Sequence, residues 1–459
     1  MAPAPATRVL VLTADTVGRT MAGPAIRSTE LARVLAGECR VTLASPHPID
    51  RSVPGVATAH FASEAELRRL VAEADVVLAM AGVLFEHPWV GAPDPTRPGR
   101  GPVVIVDAYD PVLFEVLELF ARADRATREA SVADATARMV EPLRRADLVL
   151  VASERQRHLV IGMLTALGRI GVENYDADPT LRQLVAVVPF GLPDEPPVAD
   201  DRHPLRGEDG PFDEGDFVLL WGGGLYQWLD PVTLVEGVAA IDDPTVKAFV
   251  LAGAHPTPAV PAMEMAARAR SRAEELGIAG TRVVFADQWI PYDERASWLL
   301  EADLSISLHR DHVETTFAFR TRLLDSLWAE LPIVCSDGDT LADLVRRQGL
   351  GEVVPPGDVE AFAAAVVRLR ETRCYSAARL ALRNTAPSYT WARVAQPIVE
   401  FCRRPTIAPD RAARGPARPE PRGAGVARSV RVMARRGRDL VRRGSASLGG
   451  PGRRHREQM

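Results

Sequence analysis

Short, nearly uninterrupted apolar runs recur along the chain, and many are followed by a loop and then by apolar positions three and four apart. The first, residues 8–15 (RVLVLTAD), reads as a strand buried on both faces, and similar runs follow at 40–44, 76–80, 103–107, 148–153 and 185–188. A second series occupies 217–221, 248–251, 282–285, 304–308 (LSISL), 333–335 and 351–354. Helical spacing fills several intervals: residues 26–35, a stretch opened by Asp230 and Pro231, and Leu323, Leu324, Leu327 and Trp328 after a polar loop at 310–319. This alternation predicts an α/β protein with parallel sheets covered by helices on both faces. Ligands of such sheets bind beyond the carboxyl ends of the strands.

Between the two series lies 189–216 (PFGLPDEPPVADDRHPLRGEDGPFDEGD), whose six prolines and many acids mark a linker. The predicted organisation is an N-terminal Rossmann-like domain at 1–192, a linker at 193–215 and a second Rossmann-like domain at 216–388. A helical segment follows at 389–404, kinked by Pro397, and then a disordered arginine-rich tail at 405–459. Residues 403–459 hold sixteen arginines and four acids, whereas the whole chain is formally −5, so an acidic body carries a basic tail. Within it, 426–443 (VARSVRVMARRGRDLVRR) has the pattern of a short amphipathic helix on anionic lipid. Nucleic-acid binding is the rival reading of any such tail and a solvated tail the plain one; no nucleic-acid partner is expected here.

Four widely spaced cysteines, Cys39, Cys335, Cys374 and Cys402, form no CxxC pair, which predicts free thiols and excludes a disulfide framework or zinc module. No run approaches the ~20 apolar residues needed to cross a bilayer. The expected location is cytoplasmic, with peripheral contact to the inner face of the membrane through the tail.

The densest chemistry lies at 309–339. Arg320, Thr321 and Arg322 stand where the helix begins, and free backbone N–H groups plus two guanidiniums there attract phosphate. Asp325, one turn on, is placed to accept hydrogen bonds from ribose hydroxyls; an exposed i,i+3 pair with Arg322 is the competing reading. Gly222, Gly223 and Gly224 form a turn through which backbone can approach a pyrophosphate, with Arg310 as a reserve cation. Trp289 or Ile290, in a strand-end loop, could cover a nucleobase, although a core tryptophan fits the pattern equally. On the first domain, Gly23 belongs to a strand, glycine loop and helix that is not GxGxxG. Asp107 and Asp110 end another strand, either contacting an acceptor or capping the next helix.

Residues 323–337 (LLDSLWAELPIVCSD) resemble the donor-site segment of GT-B glycosyltransferases of the retaining family four, also called group one. There, a helix bearing the second of two glutamates runs into Ala-x-Gly-x-Pro-Val-Val and a Ser/Asp-rich loop. Asp325 stands at that second, ribose-binding glutamate; Phe317 occupies the place of the first, and the nearest acid is Glu314. Residues 23–32, 187–191 and 287–292 resemble further segments of the family. The arginine and lysine that usually follow the glycine turn are replaced by the stretch around Tyr226, Gln227 and Trp228, which moves the anion-binding duty to Arg320 and Arg322. A histidine usual after the strand at 75–80 is replaced by Ala81 and Gly82, His87 being the first to follow.

The resemblance covers about 8–400. It implies two Rossmann-like domains facing a cleft, and sugar transfer from a nucleoside-diphosphate sugar to a glycan, lipid-linked glycan or natural product, with retention. With the family's own cations and first glutamate missing, Arg320 and Arg322 are expected to take the leaving diphosphate and Glu314 a sugar hydroxyl, while Asp325 takes the ribose. No metal or other cofactor is expected besides the co-substrate. A nucleotide-sugar-binding protein without turnover and a GT-B epimerase are the alternatives.

Overall fold

The computed structural model describes residues 6–92, 101–208, 210–253 and 263–414. The basic segment at 426–443 lies outside them. The first sheet is built from β1 (Arg8–Leu12), β2 (Arg40–Ser45), β3 (Val56–His60), β4 (Val76–Met80), β5 (Val103–Asp107), β6 (Leu148–Val151) and β7 (Val185–Val187). Their order is β3-β2-β1-β4-β5-β6-β7, every pairing parallel. The second sheet contains β8 (Phe217–Trp221), β9 (Val246–Leu251), β10 (Val283–Ala286), β11 (Leu304–Ser307), β12 (Ile333–Ser336) and β13 (Gly351–Val354), in the order β10-β9-β8-β11-β12-β13 and again parallel.

The central strands are largely apolar because helices cover both faces: β5 and β6 are buried along their whole length. Each buried Val or Leu side chain contributes roughly 1.5–3 kcal/mol. In both sheets the order reverses beside the first strand, between β1 and β4 and between β8 and β11, opening a crevice at the carboxyl ends. β3, absent from the predicted strands, is an edge strand of small, mostly exposed residues (VATAH).

The proline-rich stretch joins the domains but is not a free tether. Leu205 and Phe212 bury against Val218, Leu220, Phe249 and Leu299 of the second domain, and Arg206 pairs with Asp303. At the other crossing, helices Trp391–Val394 and Gln396–Arg403 break at Ala395, with Pro397 in the first turn of the second. Trp391, Ile398, Val399 and Cys402 enter the first domain's core. The crossings hydrogen-bond to each other, Leu192 N donating to the Tyr389 carbonyl and Trp391 N to the Leu192 carbonyl, both at 2.9 Å. A Cβ on Gly191 would stand 2.7 Å from the Trp391 ring, so these backbones meet at closest approach.

Residues 405–414, expected to be disordered, continue across the first domain to a short helix, Pro409–Arg414. The buried Asp410 accepts two hydrogen bonds from Arg169, at 2.5 and 2.9 Å, and one from Asn174 at 2.9 Å. Charge pairing in a buried niche, which composition does not reveal, is what orders this part of the tail.

Candidate active site in the interdomain cleft

Strand β8 ends at Trp221 and gives way to Gly222–Gly224. Gly223 has a φ of +148°, a conformation that favours glycine, and a Cβ there would stand 3.5 Å from the Arg322 guanidinium carbon. A Cβ on Gly224 would lie 3.4 Å from the Trp289 ring. Bare backbone therefore runs between a cation and an indole. On the neighbouring strand-end loop, a Cβ on Gly253 would fall 2.5 Å from the Gln288 backbone, which holds Trp289 close to the turn.

Arg322 opens the helix Arg322–Trp328. Its Nη2 donates to the Gly224 carbonyl at 2.9 Å and its guanidinium lies over Trp221 at 5.3 Å, but its buried Nη1 has no hydrogen-bond partner. Burial, and secondarily the charge of Arg320, push the Arg322 pKa down to about 10. A sequestered cation short of an acceptor is costly, and an anion over the glycine turn would satisfy it.

Asp325 does not pair with Arg322; it accepts from Arg295 Nε at 3.1 Å. Arg295, which no sequence signal singled out, is sandwiched between the rings of Tyr292 at 3.8 Å and Trp328 at 4.5 Å. Thr321, Arg322, Asp325, Trp289, Ile290 and all three glycines line one cavity of about 220 Å³. Met21, Gly23, Ile26 and Phe190 of the first domain complete it. Trp289 Nε1 donates across the cleft to the Met21 carbonyl at 3.3 Å.

The structure places the other predicted residues elsewhere. Arg320 and Glu314 face each other as a buried bidentate pair, with bonds of 2.7 and 2.6 Å, and neither lines that cavity. Glu314 reaches Arg320 because 313–317, read as polar loop, is a helical turn, Val313–Phe317. Asp339 stands 3.7 Å from Arg320 Nε and caps the helix Thr340–Gln348. Arg310 is likewise engaged, donating to Glu118 of the first domain at 3.0 Å and to the Gln227 carbonyl at 2.8 Å. Asp107 is held by Arg27 at 2.5 and 3.0 Å, deep in the first domain.

Asp107 and Asp110 border a second cavity, of about 520 Å³, beyond the carboxyl ends of β1, β4 and β5. His87 lines it too, edge-on to Phe61 and Trp89 at 6.4 and 6.3 Å, because 81–86 form a helical turn that carries the loop inward. Burial and then the Asp107 charge push the Asp110 carboxyl up to about 7. Glu115 is raised well above the usual range by burial, with Asp110 and Glu314 adding to it.

Among the described residues, no three His, Cys, Asp or Glu side chains stand together as metal ligands would, and no helix is long and apolar enough to cross a membrane. All four cysteines are free thiols.

The architecture is similar to several solved structures. Sucrose-phosphate synthase (tll1590) from Thermosynechococcus elongatus aligns with a TM-score of 0.59 and 17% identity, over 86% of this chain and 98% of that one. HepE (Alr3699) of Anabaena, in complex with UDP-glucose, aligns at 0.58 and 14%, over 86% and 98%. WaaG, a glycosyltransferase involved in lipopolysaccharide biosynthesis, aligns at 0.55 and 13%, over 86% and 99%. The fold is thus GT-B. No curated protein matches this sequence. Residues 216–372, the part of the chain that carries the glycine turn, Arg322 and Asp325, match the family described as Glycosyl transferases group 1.

Proposed function

We propose that this protein is a glycosyltransferase that binds a nucleoside-diphosphate sugar in the interdomain cleft and passes the sugar to an acceptor held by the first domain. The observation that carries this reading is the unpartnered Arg322 Nη1 beside the glycine turn. A diphosphate over Gly222–Gly224 supplies the missing acceptor, Asp325 takes the ribose, and Trp289 and Ile290 flank the base. UDP-glucose, seen with HepE, has the matching parts.

In the reaction, the bond from the anomeric carbon to the diphosphate breaks and one to the acceptor oxygen forms, the acceptor losing a proton. Charge builds on the leaving phosphate, where a preorganised cation and backbone N–H groups stabilise it. Arginine supplies that charge in this reading, without a metal. Retention at the anomeric carbon follows from the resemblance to the retaining family and is read from the product by proton NMR.

Isothermal titration with UDP tests the donor site. Losing a hydrogen bond to a charged group costs about 1.5–3 kcal/mol, so Arg322→Ala should bind UDP roughly 10- to 100-fold more weakly. Equal affinity in the two proteins would refute the assignment.

A second reading, a nucleotide-sugar-binding protein without turnover, is favoured by Phe317 at the place of the family's first glutamate and by the closed Glu314–Arg320 pair. Incubation with UDP-glucose and acceptors separates the two, since only a transferase yields glycoside and free UDP.

A further inference from the structure

The cavity in the first domain is more than twice the volume of the interdomain one and differs in character. At about 520 Å³ it falls in the range of roughly 300–1,000 Å³ typical of small-molecule sites. Its walls come mainly from Phe61, Met80, Val83, Met139, Leu159 and Met163. Three methionines give an apolar wall that adapts to irregular shapes.

Most of the polar side chains on its border are already engaged with neighbouring groups. Asp107 holds Arg27. Gln156 bonds the Ala152 N–H and the carbonyls of Tyr109 and Phe317, at 2.7, 2.6 and 2.8 Å. Arg138 bonds Asp134 and Glu86, each at 2.6 Å, and Thr13 accepts from the Asp15 N–H at 3.2 Å. Beyond His87 and Asp110, a polyhydroxylated ligand would find few partners here, and every hydroxyl buried without one weakens binding.

The cavity adjoins the donor cleft. Pro24 lines the former and Gly23 the latter, and the charges of Glu115, Asp110 and Asp15 reach Tyr226, beside the glycine turn.

Resting on the glycosyltransferase reading, we infer that the acceptor is a molecule with a compact apolar body, seated in this cavity, whose hydroxyl is presented past Asp110 toward the donor cleft. An aromatic ring system and a short alkyl chain are the two sources of such a body.

4-Methylumbelliferone and 1-octanol serve as the two probes, with maltose as the polar control. Gly82 lies on the cavity wall, and a Cβ there meets nothing within 4 Å, so Gly82→Phe fills the space from an open position. Calorimetry should show at least one probe binding the native protein and binding Gly82→Phe at least tenfold more weakly. Maltose should show no binding, and UDP affinity should be the same in both proteins. Circular dichroism reports whether the variant folds; if it does not, Leu159→Phe fills the cavity from another wall.

The inference is overturned if neither probe binds while UDP does, if the filled variants bind the probes like the native protein, or if maltose binds and displaces them. Probe binding by a native protein that fails to bind UDP would instead refute the donor site, and the acceptor role with it.

Discussion

Arg320 and Arg322 are two positions apart and each keeps one buried N–H without a hydrogen-bond partner, yet Arg320 is closed into ion pairs with carboxylates and Arg322 has none beside it at the cleft. The difference is the company each keeps: Glu314 and Asp339 surround Arg320, while Arg322 meets backbone and the face of Trp221. Asp325 is expected to act on the nucleoside alone. Asp325→Ala should weaken UDP binding by roughly tenfold and leave inorganic pyrophosphate unaffected in thermal-shift titrations, whereas Arg322→Ala should weaken both. Asp110 makes a pH prediction. Its carboxyl sits at about 7, well above the ordinary aspartate range, because of burial and the nearby Asp107, with Arg27 partly opposing. The folded protein therefore holds this proton more tightly than the unfolded chain. The resulting stability is complete below about pH 4 and is lost as pH rises through 7. Asp110→Asn should melt higher than the native protein at pH 8, with the gap narrowing as pH falls and closing near pH 4. Glu115 shifts in the same direction, partly through the Asp110 charge, so the variant reports the two carboxyls together.

The strands were legible as elements because burial on both faces leaves an apolar run in the sequence; β3, at an edge, leaves no such mark. The glycine turn, Arg322 and Asp325 were legible too, since a strand-end turn and a helix start place them by local rules. The partner of Arg320 was not, because it depends on the helical turn Val313–Phe317 folding back over six residues. That turn is a structural brace: removing one member of a buried pair leaves an uncompensated charge, at a cost of about 3–5 kcal/mol. Glu314→Ala should lose that much in urea unfolding, while Glu314→Leu with Arg320→Met should recover most of it. A double variant as unstable as the single one would show that the residues brace the loop in some other way.

At the scale of the whole molecule, the chain's last described helix matters more than its composition suggests. Deleting 405–459 strips Arg169 of its buried carboxylate, and an unfolding cost of about 3–5 kcal/mol is expected. Deleting only 415–459 keeps that pair and should leave the melting temperature within a degree or two. The two truncations, compared by calorimetry, separate the docked segment from the basic one. Asp410→Ala in the full chain should reproduce the larger loss.

Because Leu192 is bonded to the residues on both sides of Thr390, the two passages between the domains form one seam instead of two separate straps. A door on two loose straps can twist as it swings; on one seam it can only swing. Opening the cleft would therefore crease the molecule along this line, parting Trp289 from Met21 at the far side while Gly191 and Trp391 stay pressed together. A single methyl group added at Gly191, which itself borders the donor cavity, would wedge that crease.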